Sequence, residues 1–141
     1  MLDKNFIRGK ITLIKDYIGE MDEIISKDTL FILKDFKNIR AIEREFQLIV
    51  DEMIDVNIHF IKELNLKSPG DFQSTFEILA DGKIIPHGFA LKIAPVVGLR
   101  NKLVHRYEKI DKKFFVEQVA KERNDFIEYI RYINGYLDEI D

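Results

Sequence analysis

The 141-residue sequence is 46% hydrophobic and 33% charged, with 25 acidic against 22 basic side chains and a net charge of −3. That length suits one domain with one core, and the composition is ordinary for a soluble globular chain. With no cysteine, a disulfide frame, a zinc knuckle and a thiol nucleophile are excluded, and a reducing cytoplasm is the expected setting. The acidic balance also argues against a protein that coats nucleic acid electrostatically.

The first segment, MLDKNFIRGKITLIKDYIGE, carries charges throughout and lacks the apolar run of a signal peptide. No stretch approaches the ~18 apolar residues of a membrane span. Ile7, Ile11, Ile14, Ile18, Met21 and Ile25 step by three or four, the spacing that lines one helix face. Asp28 or Thr29 opens a separate helical turn carrying Leu30, Phe31 and Phe36 toward a longer helix. That helix shows an apolar stripe of Ile39, Ile42, Phe46, Ile49, Met53, Phe60 and Leu64, with Glu43, Arg44, Glu45, Asp51 and Glu52 on its polar side.

NLKSPGD is the clearest break, because Pro69 and Gly70 stop a helix and favour a turn. Ser74 and Glu77 have capping-box spacing for a short helix through Leu79. Gly82 is expected to take the left-handed cap that ends it. Another helix begins near Pro86, with Leu91, Ala94, Val97 and Val104 facing the core and Pro95 bending it or removing a hydrogen bond. Asp111 is a suitable N-cap for a final helix with the stripe Phe115, Val119, Phe126, Ile130, Ile133 and Leu137. Strand signals and internal repeats are lacking. The expectation is a single all-α domain over residues 1–141, an up-and-down bundle of four to five helices.

Several chemistries have no signature here. There is no Gly-rich phosphate loop, no dinucleotide fingerprint and no nucleotidyltransferase pattern. His59, His87 and His105 lie far apart in sequence, without a ligand pair, so neither a metal nor a cofactor is expected. His59 and His87 are taken as packed or exposed bystanders.

The segment GLRNKLVHRYEKID, Gly98–Asp111, concentrates what remains. From Arg100 to Lys113, six basic residues face only Glu108 and Asp111, a formal +4 on an acidic chain. Asn101 and His105 are four apart and share a helix face. Arg100 and His105 are five apart, about 140° around a regular helix, so one straight helix does not aim both at one atom. Either the helix unwinds near His105, or a second copy of the chain completes the site. Histidine accepts or donates a proton near neutrality, and arginine offers a permanently charged fork to phosphate oxygens. These groups suit metal-free RNA cleavage, in which the 2′-hydroxyl attacks the adjacent phosphate. Asn101 is suited to orient the histidine or hold a phosphate oxygen. The same Arg and His also serve a helix C-terminus by bonding its last carbonyls, and the residue pattern alone leaves both uses open.

RNKLVHRY resembles the R-x4-H-x-Y signature of the HepT-like branch of the HEPN superfamily, small helical toxins of prokaryotic toxin–antitoxin pairs. Arg100, His105 and Tyr107 match it, with Asn101 as the polar residue after the arginine. SPGDFQSTFEILADGKIIPHGFALKIAPVVGLRNKLVHRYEKID and RAIEREFQLIVDEMIDVNIHFI are similar to the family's approach to the motif and to its long second helix. The resemblance implies a HEPN-like bundle and a homodimeric, metal-independent endoribonuclease, with catalytic Arg100 and His105 in a composite cleft. It implies a tRNA or mRNA substrate and a minimal MntA-like nucleotidyltransferase antitoxin that transfers AMP to Tyr107. Arg40, Arg44 and Asp55 on the long helix are possible cleft residues, more readily explained as surface. Two alternatives stand beside this one. The chain is otherwise a non-catalytic HEPN module that binds nucleotide or substrate beside a nucleotidyltransferase, or a helical dimerisation scaffold.

Overall fold

The computed structural model describes residues 1–105 and 110–140, and among these residues the chain is helical with no strand. Seven helices follow in order: α1 (Lys4–Ile25), α2 (Thr29–Leu33), α3 (Phe36–Glu63), α4 (Ser74–Asp81), α5 (His87–Ile93), α6 (Val96–His105) and α7 (Lys112–Glu139). The all-α expectation holds. The number exceeds the expected four to five because α2 is a single short turn and the fourth long pattern is split into α5 and α6. None of the described helices is long and apolar enough to cross a membrane.

Three aspartates start the long helices. Asp3 accepts from the Phe6 amide, Asp35 from Lys37 and Asp111 from Phe114, each at 3.0 Å, which satisfies an amide that the helix itself leaves unpaired. The anticipated stripes of α1, α3 and α7 are buried, apart from Ile25 and Leu64 near their ends, which are only partly covered. α1 packs antiparallel to α3, as the pairing of the Met1 amine with Glu63 at 2.7 Å and of Lys10 with Asp55 at 3.0 Å shows. α7 runs back along α1, with Arg8 near Asp138 at one end and Arg123 forked onto Asp22 at the other. Phe46 of α3 packs against Phe115 and Phe126 of α7 and closes the middle of the core.

The short elements depart from the sequence expectation. In α2, Leu30 and Phe31 remain 66% and 55% exposed while Ile32 is the residue buried, and Phe36, at the start of α3, is 65% exposed. A five-residue helix buries only one position when its neighbours on the cylinder face water. Past Pro86 the buried set is Phe89, Ala90, Ile93, Val96 and Val97, whereas Leu91 and Val104 are exposed. Pro95 has no amide proton, so the helix ends at Ile93 and restarts at Val96. Val97 is buried and Ala94 partly covered as expected; the restart carries Val104 off the core-facing side, and Leu91, before the break, lies on the outer side of α5.

Two helix ends interlock. After α3, Asn65 adopts φ 54° and the Leu66 amide bonds the Ile61 carbonyl at 2.9 Å. After α4, Lys83 adopts φ 63° and the Ile84 amide bonds Leu79 at 3.0 Å. Both are left-handed closures that satisfy the last carbonyls. Gly82, expected to be the left-handed residue, instead has φ −80°. Its lack of a side chain makes room for Leu66, since a Cβ there would lie 3.1 Å from Leu66 Cδ1. The capping box also fails to form: the Ser74 amide bonds Asp71 Oδ1 at 2.7 Å, and Glu77 turns to His87.

A chain of buried polar groups crosses this packing. The Tyr129 hydroxyl donates to Asn57 Oδ1 at 2.7 Å, Asn57 Nδ2 donates to Thr75 Oγ1 at 3.0 Å, and Thr75 Oγ1 donates to the Phe72 carbonyl at 2.6 Å. It ties α7, α3, α4 and the turn before α4 in one direction of donation. Burial pushes the Tyr129 phenol well above its ordinary pKa, so the donor at its head stays protonated. Tyr129→Phe leaves Asn57 Oδ1 without that donor and is expected to lower stability by about 1–3 kcal/mol, read by urea denaturation.

Glu45 of α3 adds a pH dependence. Burial, followed by hydrogen bonding to the Glu20 carboxyl, raises its pKa from the ordinary 4.5 to about 7. Because the folded state holds this proton more tightly, the associated stability is full below pH 4.5 and declines as pH rises through about 7. Burial raises Glu122 of α7 in the same direction. Glu45→Gln is therefore expected to be more stable than wild type above pH 7, with the advantage shrinking toward pH 4.5; thermal melts across that range provide the measurement.

Candidate functional site

Arg100 is held where α6 crosses the middle of α3. Its Nε donates to Asp51 Oδ1 at 2.7 Å, and its Nη1 donates to Asn101 Oδ1 at 3.1 Å. The Arg100 and Asp51 side chains are only 19% and 30% exposed, so water screens the pair less than it would on an open surface. Two contacts at different nitrogens fix the guanidinium plane, because its N–H groups are set in a rigid fork. Arg100 is thus a pre-aimed cation, and its charge is offset by one carboxylate.

The other expected site residues separate into three groups. Asn101 is brought directly onto Arg100. His105 ends α6 and is exposed, on the same helix one turn beyond Asn101. Tyr107 lies outside the described residues. Asp51 was visible in the sequence only as a charge on the polar side of α3. Its partner is 49 positions away, and no local spacing signals such a pairing.

The neighbouring charges are otherwise engaged. Lys10 lies 2.9 Å from Glu52 and 3.0 Å from Asp55, and the bond to Glu52 is the main reason its pKa is raised. Arg40 pairs with Glu43 one turn along α3 at 2.7 Å. Arg40 and Asp55 therefore serve helix surface and packing, while Arg44 is exposed.

A shallow cleft adjoins Asn101. It is lined by the turn Pro69–Gln73 together with Val97 and Asn101. The side chain of Phe72, 47% exposed, stands in it. Elsewhere, His59 Nε2 accepts from the Asp3 amide at 3.0 Å and its ring lies 4.8 Å from Phe6, a packing role. On the α4–α5 corner, Glu77, Asp81 and His87 place potential ligand atoms within 4.8 Å of one another. The sequence spacing concealed this grouping, since His87 comes from a different helix. The three side chains are solvent-facing, and His87 already bonds Glu77 at 2.8 Å.

The family described as Ribonuclease HepT-like matches residues 14–133 of this chain. The tRNA nuclease HepT of Aphanizomenon flos-aquae is 32% identical over 132 residues, which span 93% of this chain and 89% of that protein. The mRNA nuclease HepT of Shewanella oneidensis is 26% identical over 131 residues, 93% of this chain and 98% of that protein. Among solved structures, the tri-AMPylated Shewanella oneidensis HEPN toxin in complex with MNT antitoxin superposes with a TM-score of 0.87 at 25% identity, over 94% of this chain and 99% of that one. YutE from Bacillus subtilis, a cytosolic protein of unknown function, superposes at 0.84 with 17% identity over 98% of this chain and 92% of that one, which is a likeness of fold.

The Arg100–Asp51 pair generates its own test. Asp51→Ala strands a half-buried cation and is expected to cost about 1–3 kcal/mol in urea denaturation, whereas Asp51→Asn keeps an acceptor and costs less. Equal losses would mean that the negative charge of Asp51, rather than its shape or its acceptor, carries the contribution.

Proposed function

This chain belongs to the Ribonuclease HepT-like family, and from that premise we propose that it is a metal-independent endoribonuclease toxin of a toxin–antitoxin pair. The observation that carries the proposal is the Arg100 guanidinium, fixed by Asp51 and Asn101 on the helix that ends in His105. Two relatives named as a tRNA nuclease and an mRNA nuclease support RNA as the substrate.

The reaction follows from the donor set. A base removes the proton of a ribose 2′-hydroxyl, and the 2′-oxygen forms a bond to the adjacent phosphorus. The bond from phosphorus to the 5′-oxygen breaks, and that oxygen leaves with a proton. The products are a 2′,3′-cyclic phosphate and a 5′-hydroxyl. His105 handles a proton, and Arg100 stabilises the charge that builds on the phosphate oxygens. With about 140° between these two residues around one helix, the site is completed across a homodimer, one protomer's arginine working with its partner's histidine.

The natural counterpart is a minimal nucleotidyltransferase antitoxin of the MntA type, acting in the cytoplasm. The structural relative that is tri-AMPylated and bound to MNT antitoxin supports this pairing. AMP placed on Tyr107 adds bulk and negative charge two residues from His105, which blocks RNA and competes for Arg100.

Purified protein free of AMP by mass is expected to cut RNA in excess EDTA, leaving cyclic-phosphate ends, and His105→Ala is expected to abolish cutting while remaining folded and dimeric. Incubation with the antitoxin and ATP is expected to add AMP mass at Tyr107 and stop cleavage. Failure of AMP-free protein to cut total RNA would replace the nuclease with a nucleotide-binding module. Cutting that persists in folded His105→Ala would remove this residue from the chemistry.

A further inference from the structure

The cleft beside Arg100 has the chemistry of a base pocket rather than a phosphate pocket. Its lining contains no basic side chain and includes the carboxylate of Asp71, so a phosphate has nothing to attract it there. What the lining offers is an aromatic ring, Phe72, the aliphatic Val97, and the amides of Gln73 and Asn101. Asn101 belongs to the cleft and to the Arg100 cluster at once, since its Oδ1 accepts from Arg100 Nη1 at 3.1 Å. A nucleotide whose phosphate lies on Arg100 therefore has its neighbouring base within reach of the cleft.

Phe72 is exposed on a turn that is not free to fold it inward. Its carbonyl accepts from Thr75 Oγ1 at 2.6 Å and from the Thr75 amide at 3.2 Å. Thr75 is fully buried and bonded to Asn57. The next turn is pinned as well, with Ser74 bonded through both its amide and its hydroxyl to Asp71. A hydrophobic ring is thus kept in water by a polar network anchored in the core. Unpaired RNA bases bind proteins by stacking on such rings and bonding their edges to amides.

We propose that this cleft holds one unpaired nucleobase of the RNA beside the phosphate on Arg100, its face on Phe72 and its polar edge on Asn101 and Gln73. The proposal rests on the nuclease function above and adds a specificity subsite to it. Phe72 touches substrate without taking part in proton transfer, so its loss acts on binding.

The test uses the full chain carrying His105→Ala and a short fluorescein-labelled single-stranded RNA of mixed sequence, followed by anisotropy. A second RNA set carries one abasic nucleotide at successive positions. Phe72→Ala is expected to weaken binding about fivefold or more, the lower end of base–aromatic stacking, with Phe72→Tyr retaining affinity. One abasic position is expected to weaken binding by the same factor, and the two losses are not expected to multiply. In the cleaving protein, Phe72→Ala raises KM and leaves kcat near wild type. A change within about twofold for Phe72→Ala, multiplicative losses, or no RNA binding by the parent protein would overturn the subsite. His105-dependent cleavage with an inert Phe72→Ala would discard the subsite and keep the nuclease. Phe72-dependent base binding without any cleavage would do the reverse.

Discussion

The relay from Tyr129 through Asn57 and Thr75 to the Phe72 carbonyl is the constraint from which the region around the candidate site takes its shape. Polar groups buried this completely are costly when unmatched, and here each oxygen and nitrogen in the relay has its counterpart. The consequence is positional. α4 and the turn before it cannot slide along α3 without breaking the series, so the edge of the cleft stays in register with α6. Hydrophobic packing supplies most of the driving force for the bundle, but packing alone tolerates small shifts that a donor–acceptor series does not.

α3 is the common reference for everything near the site. Along one helix it carries Asp51, which aims Arg100, then Glu52 and Asp55, which gather Lys10, and then Asn57, the middle of the relay. Different faces of α3 address different neighbours. The motif helix α6 has less of its own to hold it. It is ten residues long, with only Val96 and Val97 fully buried and Leu99 and Leu103 partly so. The ion pair to α3 therefore fixes an orientation that the apolar contacts of α6 leave loosely specified.

Much of this was legible in the sequence, for reasons of period and capping. The stripes of α1, α3 and α7 repeat long enough to average out local exceptions, and Asp111 stands where a helix must begin. Arg100, Asn101 and His105 are proposed from residue type and family resemblance, and Tyr107 from the same motif, which there lies outside the described residues; the structure adds that Arg100 and Asn101 touch. What could not be read were relationships between distant positions. Asp51 looks like any charge on a polar face until α6 is laid across it, and Gly82 looks like a left-handed cap until Leu66 needs its space. Of the Leu91–Val104 register, Val97 is buried and Ala94 partly covered, while Leu91 and Val104 face water, because the break at Pro95 divides one expected period between two short helices. Phe72 would pass for a core residue. The carbonyl bonded behind it holds the turn in place, and there the residue is 47% exposed.

The carboxylate of Asp51 at 2.7 Å from Arg100 also bears on how the protein would sense ionic strength. A cation already matched by an anion adds little net positive charge, so a phosphate settling on it is only partly neutralised and few of the cations condensed on the nucleic acid are released. Affinity built on such contacts falls slowly as salt is added, unlike that of proteins that grip nucleic acid through unmatched lysines and arginines. On the proposed function, the matched arginine alone would hold non-specific polyanions weakly, and the choice of substrate would depend on uncharged surfaces beside the phosphate.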